Sequence, residues 1–332
     1  MCDCGLRIRL AGRAATVTEF DPQYSNDTYP AAISGGAIAG YYVSGANGAF
    51  LRAADGTITK FYPPNSNNTY PTSINRHGPV VGYYDNNSAA EHGFSPGNTC
   101  SYACFFIRKS NGQIIEFSPA NGAPAPVVSI NDGGTIAGSY ADINNVVHGF
   151  VRAANGTITS FDPAGSTWTW VASINKSGAV TGWYNDSTGT HSFVRAADGT
   201  ITAFDVPQST STVASSINKA ETIIGTYGDS SGSHGFVRTA DGTISTFDAP
   251  GSTSTFPAAI ADSGMVTGSY SDSNGVSHGF IRKNSGKITS FDVPGASQTF
   301  PTAIDSVRAD RNDITGDYED SSGEYHGFLR TP

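Results

Sequence analysis

The sequence is poor in charged residues, and this scarcity narrows the class of protein. Lys, Arg, Asp and Glu make up 14% of the 332 residues, whereas an average soluble domain has about 25%. Exposed helices rely on Glu, Lys and other strong helix formers, so a helix-rich fold is disfavoured. The net charge of −9 argues against nucleic acid or anionic lipid as the main partner, because both attract basic surfaces.

Long apolar runs are also absent from the sequence. No stretch approaches the roughly 20 residues of a membrane-spanning helix, so we expect no membrane span. Residues 1–15 lack the apolar core of a signal peptide, and we expect that any such peptide is not part of this chain. Hydrophobic residues nevertheless reach 38%, which is enough for a folded core.

Small and turn-forming residues are abundant, and they belong to an internal repeat. The chain contains 39 glycines and 17 prolines, and one unit, close to GTITsFDvPGsTsTfPaaINdsGaVtGsYsDssGshHGFvR, recurs along it. Units two and seven are expanded, near residues 89–104 and 306–312. We number units one to seven by the glycine of their G-x-Y step: Gly40, Gly82, Gly138, Gly182, Gly225, Gly268 and Gly316.

Each unit predicts four short strands. The segments PxxIN, GxVxGxYxD, HGFVR and TITxFD alternate apolar and polar residues, and pairs such as Asp241 and Gly242 between the last two are typical of tight hairpins. Four strands in about 40–50 residues are typical of a propeller blade. The sequence therefore predicts an all-β fold, a seven-bladed β-propeller with four antiparallel strands per blade.

The two ends of the chain complement each other. Unit seven ends at residues 326–332 without a TITxFD segment, and residues 16–21 (TVTEFD) supply one. We predict that this N-terminal strand closes the last blade, which would remove a free sheet edge. The expected organisation is an extension at 1–14 and a single propeller domain at 15–332, in which 15–21 completes the blade ending at 332.

The repeat resembles a known family. INdxGxVxG followed by HGF(V/L)R, over about residues 15–332, is similar to the HAF-type extracellular repeat of bacterial proteins. The resemblance implies a propeller in a secreted or periplasmic setting and very little chemistry. G-x-I-T-x-F followed by P-x-x-I is more faintly similar to the streptogramin lyase type of seven-bladed propeller, which implies a metal-assisted His/Glu site; no residue here matches that site individually.

Two sets of charged residues recur between units and are expected to be structural. A histidine begins the third strand and faces an aspartate ending the second; metal binding or acid–base work is the alternative. An arginine ends the third strand and is predicted to pair with the aspartate ending the fourth. The histidines and their facing aspartates are His148, His191, His234, His278 and His326 with Asp142, Asp186, Asp229, Asp272 and Asp320. The arginines are Arg52, Arg108, Arg152, Arg195, Arg238, Arg282 and Arg330, and the fourth-strand aspartates are Asp162, Asp205, Asp248, Asp292 and Asp21.

Aromatic residues form a predicted ring in the first strands. They could stack on sugars or close the mouth of the channel, and packing between blades is the alternative. The ring comprises Tyr29, Tyr70, Trp170, Phe256 and Phe300, completed by Val213 and Pro126.

Positions that break the repeat are the better guide to function, because symmetry does not explain them. The insertion of unit two carries Glu91, His92 and Tyr102 as candidate catalytic residues, or is a plain insertion. Cys100 and Cys104 are predicted to form a disulfide, which requires an oxidising compartment; metal binding by the two thiolates is the alternative.

Units four and seven break the repeat with aromatic and acidic residues. All three tryptophans, Trp168, Trp170 and Trp183, fall in unit four, and we favour sugar stacking over core packing. In unit seven, Asp317, Glu319 and Asp320 could bind Ca²⁺, but the D-x-D-x-D-G pattern is absent and a solvated surface is favoured.

Three functions follow from these features. The leading hypothesis is a secreted or periplasmic monomer that binds a glycan or other small extracellular ligand on the face carrying the TITxFD-to-PxxIN loops. The second is a lyase or hydrolase of a polysaccharide or lactone, using His92 or a recurrent histidine with a tyrosine. The third is a protein-interaction scaffold.

Overall fold

The computed structural model describes residues 15–85, 103–307 and 311–332, which consist of β-strands and turns. Within these ranges the only helical segment is a 3-10 turn at Pro119–Asn121. No helix in this part of the chain is long and apolar enough to cross a membrane. The prediction of an all-β chain is therefore confirmed.

The strands follow the repeat. Strand β1 is Thr16–Phe20. Unit one holds β2 (Asp27–Ser34), β3 (Ala37–Ser44), β4 (Ala46–Arg52) and β5 (Ile58–Phe61). Unit two holds β6 (Asn68–Ile74), β7 (Val80–Asp85), β8 (Ala103–Arg108) and β9 (Ile114–Phe117). Unit three holds β10 (Ala123–Ile130), β11 (Ile136–Ala141), β12 (Val147–Arg152) and β13 (Ile158–Phe161).

The later units have the same composition. Unit four holds β14 (Trp168–Ile174), β15 (Val180–Asn185), β16 (Thr190–Arg195) and β17 (Ile201–Phe204). Unit five holds β18 (Ser211–Ile217), β19 (Ile223–Asp229), β20 (Gly232–Arg238) and β21 (Ile244–Phe247). Unit six holds β22 (Ser254–Ile260), β23 (Val266–Ser271), β24 (Ser277–Arg282) and β25 (Ile288–Phe291). Unit seven holds β26 (Gln298–Ile304), β27 (Ile314–Glu319) and β28 (Tyr325–Thr331).

Within each unit, consecutive strands pair antiparallel. Units four, five and six are joined into one sheet by two single parallel pairings, Thr190 with Ser211 and Ser233 with Ser254. Strand β1 pairs antiparallel with β28, from Thr16 opposite Thr331 to Phe20 opposite Gly327. The N-terminal segment thus supplies the fourth strand beside unit seven, as its sequence predicts.

A β-bulge in the first strand explains the glycine that marks each unit. In unit four the register shifts between Val171 and Ser173, which drives the bulged strand towards β15. A Cβ atom on Gly182 would lie only 2.0 Å from the carbonyl oxygen of Trp170. The corresponding Cβ on Gly316 would lie 2.1 Å from the oxygen of Phe300. Glycine is needed here for close approach of two backbones.

The core lies between units. Ala137 of unit three packs with Val171, Val180 and Phe193 of unit four, and neighbouring units repeat this arrangement. Each third strand has a phenylalanine with no exposed surface at the same position: Phe50, Phe106, Phe150, Phe193, Phe236, Phe280 and Phe328. Burying such a side chain contributes about 1.5–3 kcal/mol, so these contacts between units stabilise the fold.

The recurrent arginines also join units, and the predicted Arg–Asp pairing is wrong. The Arg195 guanidinium lies 5.1 Å from the ring centroid of Phe161, in the outer strand of the preceding unit. Burial lowers the pKa of Arg195, and the cation lies over the negative face of the ring. The same contact occurs seven times, as Arg52–Phe20, Arg108–Phe61, Arg152–Phe117, Arg195–Phe161, Arg238–Phe204, Arg282–Phe247 and Arg330–Phe291.

The asparagine of PxxIN provides a second link between units. Asn131 Nδ2 donates to the carbonyl oxygen of Asn175 at 3.1 Å, and Asn175 Nδ2 donates to that of Asn218 at 3.1 Å. In unit seven the buried Asp305 replaces asparagine, and its carboxylate accepts hydrogen bonds from the amides of Gly35 (3.2 Å) and Gly36 (2.9 Å). First strands of neighbouring units contact one another, and β26 contacts β2.

Candidate functional site

Each recurrent histidine lies between two aspartates. His191 Nδ1 is 2.8 Å from Oδ2 of Asp205, the residue after β17, and its Nε2 is 3.2 Å from Oδ1 of Asp186. His326 bridges the chain ends, with Nδ1 2.9 Å from Asp21. The predicted contact with the second-strand aspartate is present at 3.2–3.8 Å. The aspartate predicted to pair with arginine instead pairs with histidine.

The aspartates favour the charged form of His191, His234 and His326. The hydrogen bond to Asp205 raises the pKa of His191 against the effect of burial. Burial lowers the pKa of His234, but its bonds and charge interactions with two aspartates outweigh this and raise it overall. Hydrogen bonds from Thr188, aided by the charge of His191, lower the pKa of Asp186 to about 2. Because the arrangement recurs in five units and closes turns, it supports the structural interpretation.

In units one, two and four, the residue of the predicted aromatic ring pairs with a second aromatic residue on the neighbouring strand. Tyr29, Tyr70 and Trp170 lie opposite Tyr41, Tyr83 and Trp183 of the neighbouring second strand. The pairs stack with ring centroids 4.8, 4.9 and 5.4 Å apart. Phe256 lies opposite Ser269, Phe300 opposite Asp317 and Val213 opposite Thr226. The sequence signal for the second aromatic residue is its position directly after the marker glycine.

Tyrosines of units seven, one and two form a continuous cluster, the tyrosine cluster. Tyr29 lies 5.4 Å from Tyr325, and Tyr41 packs edge-on against Tyr70 at 5.2 Å. Burial raises the pKa of Tyr83 to about 12. Asn47 Nδ2 donates to the hydroxyl oxygen of Tyr70 at 2.7 Å. The cluster thus has apolar ring faces and tyrosine hydroxyl groups at one end of the first strands.

The three tryptophans share one surface of unit four. Trp168 is 47% exposed and precedes Trp170 by two residues, so both side chains lie on the same face of β14. Trp183 stacks on Trp170 with the ring planes 15° apart. Phe256, which occupies in unit six the strand position that Trp170 has in unit four, is 42% exposed. Exposed aromatic rings therefore lie at the same end of the first strands as the tyrosine cluster.

The acidic residues of unit seven are in different places. Asp317 is only 8% exposed and lies beside the tyrosine cluster. Glu319 accepts a hydrogen bond from the side-chain amide of Gln298. Within the described ranges, the one group of three residues spaced to hold a metal ion is Asp320, Glu324 and His326. Asp320 Oδ1 already accepts bonds from Ser322 and from the Glu324 amide.

The predicted catalytic residues Glu91, His92 and Tyr102, and also Cys100, lie outside the described residues. Cys104 is described and is disulfide-bonded. Its predicted pairing with Cys100 stays a prediction.

A polar cavity lies at the opposite end of the first strands. It has a volume of about 340 Å³ and is lined by the carboxyl-terminal ends of these strands from all seven units. Arg76 Nε lies 3.4 Å and Lys176 Nζ 3.8 Å from Asp132 Oδ2 at its rim. Lys219 and Asp262 complete the charged part of the lining.

Comparison with known proteins identifies the class of fold. No protein-family model matches the chain, and no curated protein matches it. Solved structures do match, and they show that the chain has a β-propeller fold. The resemblance to the HAF-type repeat finds no support in these comparisons, whereas the fainter similarity to streptogramin lyase-type propellers is confirmed at the level of the fold.

Individual structures cover almost the whole chain. Streptogramin B lyase is similar with a TM-score of 0.61 and 15% identity, over 96% of this chain and 98% of that one. A catalytically inactive virginiamycin B lyase from Staphylococcus aureus, with quinupristin, has a TM-score of 0.61 and 16% identity, over 95% of this chain and 99% of that one. A prolyl endopeptidase is similar with a TM-score of 0.61 and 10% identity. The match covers 93% of this chain but only 50% of the prolyl endopeptidase chain.

Proposed function

We propose that this chain is a closed seven-bladed propeller that binds a carbohydrate or other extracellular ligand on the face carrying the aromatic residues. Closure is supported by the links between unit seven and unit one. Strand β26 contacts β2, Asp305 binds the amides of Gly35 and Gly36, and Arg52 lies over Phe20 of β1. Each unit then corresponds to one blade.

The observation that carries the binding proposal is the exposed Trp168 beside the stacked Trp170 and Trp183. Trp168 is 47% exposed, so its indole ring is open to a ligand, and the apolar face of a sugar ring matches the size and polarity of the indole. The stacked pair beneath holds the surface rigid, which lowers the entropy lost on binding. Thr167 and Asn185 beside it offer polar groups for hydroxyls.

An extracytoplasmic location fits the disulfide at Cys104. Disulfides persist in secreted and periplasmic proteins and are rare in reducing compartments. Mass mapping of the protein purified from its native host, without reductant, would test both the location and the predicted Cys100–Cys104 pairing.

Titration with a panel of soluble polysaccharides tests the binding proposal. We expect saturable quenching of tryptophan fluorescence by at least one polysaccharide, weakened about tenfold or more in Trp168→Ala. Tyr24→Ala is the matched control, because Tyr24 is 83% exposed but lies outside unit four. Unchanged affinity in Trp168→Ala would refute the assignment of the residue. Turnover of the polysaccharide would instead support the lyase or hydrolase hypothesis, and neither binding nor turnover would favour a scaffold.

A further inference from the structure

Asp317 breaks the pattern of the second strands more strongly than any other described residue does. It lies opposite Phe300, at the position that follows each marker glycine. The other six units carry an aromatic or hydroxyl side chain there: Tyr41, Tyr83, Ser139, Trp183, Thr226 and Ser269. Only unit seven has a charged group, and it is 8% exposed.

Aromatic residues of units seven and one lie near this carboxyl group, beginning with Phe300 opposite it. Tyr29 and Tyr41 of unit one and Tyr325 of unit seven are close enough for its charge to raise their pKa values, in addition to the effect of burial. Tyr325 links the two sides, 5.4 Å from Tyr29 and 6.3 Å from Phe300. The faces of aromatic rings carry negative potential and attract cations.

The carboxyl group of Asp317 lacks a compensating charge. No side chain within the described ranges forms an ion pair or hydrogen bond with it, and burial raises its pKa to about 7. The charged groups nearest the cluster are also acidic. Asp27 of β2 accepts a hydrogen bond from the amide of Tyr325, and Glu319 adds to the negative potential at Tyr325. A buried carboxylate in such surroundings is costly until a cation neutralises it.

We propose that Asp317 and the surrounding tyrosines bind an organic cation, either a protonated amine or a quaternary ammonium group. Aromatic faces with one carboxylate are the recognition chemistry for such a group. A calcium ion would need about six to eight oxygen ligands, whereas Phe300, Tyr325 and Tyr29 bring aromatic rings to this place. The site uses different residues from the carbohydrate surface at Trp168; it rests on the contact between units seven and one but not on carbohydrate binding.

Calorimetric titration with choline tests the site. The comparison ligand is the uncharged isostere of choline in which a quaternary carbon replaces the nitrogen. At pH 8, where Asp317 is ionised, we expect choline to bind at least about tenfold more tightly than the isostere. Its affinity should fall as the pH is lowered below about 7, because Asp317 is then protonated.

Variants separate the roles of charge and fold. Asp317→Ser is the main test, because Ser139 and Ser269 occupy the same strand position in units three and six and the fold accommodates them. It should lose choline binding while keeping its thermal midpoint. Asp198→Asn removes one charge from a turn where unit three has Asn155 and should bind choline like the parent.

Several results would overturn the proposal. These are equal binding of choline and its isostere, no detectable binding of choline, unchanged choline binding in Asp317→Ser, and binding of Ca²⁺ that requires Asp317 without any binding of choline. Loss of polysaccharide binding in Trp168→Ala with unchanged choline binding would support a cation site that is separate from the carbohydrate surface.

Discussion

Replacing Gly182 by alanine should destabilise the protein far more than the same replacement of Gly138. A Cβ on Gly182 would lie 2.0 Å from the Trp170 carbonyl oxygen, where ordinary contact begins near 3.4 Å. The three nearest atoms are all backbone atoms of Trp170 and Val171 in β14, so the bulge of β14 must open, at a cost of about 3 kcal/mol. On Gly138 the nearest atoms are those of the Phe150 ring, at 2.9 and 3.0 Å, and the Val127 oxygen at 3.1 Å. A ring can shift, so the expected cost is about 1 kcal/mol.

The pair of variants isolates the clash, because both replace glycine by alanine at the same strand position. The loss of unfolded-state entropy that accompanies Gly→Ala, about 0.4–1 kcal/mol, cancels in the comparison. Urea unfolding followed by tryptophan fluorescence should give free energies of unfolding that differ by about 2 kcal/mol. Equal destabilisation of the two variants, or a neutral Gly182→Ala, would refute the argument that backbone approach selects these glycines.

The remaining predictions concern pH. The raised pKa values of His191 and His234 mean that their contribution to stability is complete below their unfolded value of about 6.5. This contribution is lost as the pH rises through the pKa of each histidine in the folded protein, so the urea midpoint should fall between about pH 6 and 8. The fall of the midpoint with pH should be smaller in His191→Gln. It should be unchanged in the control His77→Gln, because His77 lies in an exposed turn. The lowered pKa values of Asp186 and Asp229, about 2, contribute stability above about pH 4. This contribution to stability should be lost as the pH falls from about 4 to 2. Acid unfolding monitored by circular dichroism should show a smaller loss of stability over this range in Asp186→Asn.

The strands and the pairing of β1 with β28 were predictable because they depend on local patterns. Turn residues, alternation and the missing TITxFD segment near His326 are all visible in the chain itself. The bulge behind Gly182 was not foreseen, because it depends on how two backbones approach in space. The exposed Trp168 could be predicted as a departure from the repeat, but its stacked partner pair could not.

The predicted partner of the fourth-strand aspartates was wrong although the sequence contained the signal. All units keep the arginine, but units one and two lack both the histidine and the fourth-strand aspartate. Gly48 and Tyr62 replace them in unit one, and Cys104 and Ser118 in unit two. Joint loss indicates that histidine and aspartate are the interacting pair. The arginine persists because its partner, a phenylalanine of the preceding unit, also persists.

The proposed cation site lies across the contact between units seven and one, which we call the seam. Asp317 and Tyr325 belong to unit seven, whereas Tyr29 and Tyr41 belong to unit one, so the site exists only while these units are held together. Asp305 helps to hold them, since its buried carboxylate binds the Gly35 and Gly36 amides.

Asp305→Ala leaves those amides without an acceptor, so it should cost about 3 kcal/mol of stability and also weaken choline binding. Asp305→Asn keeps one acceptor oxygen and should show smaller losses of both. Polysaccharide binding at Trp168, within unit four, should change in neither variant. Calorimetry on the folded variants decides the matter: choline affinity that is unaffected in Asp305→Ala would mean that the site does not depend on the seam.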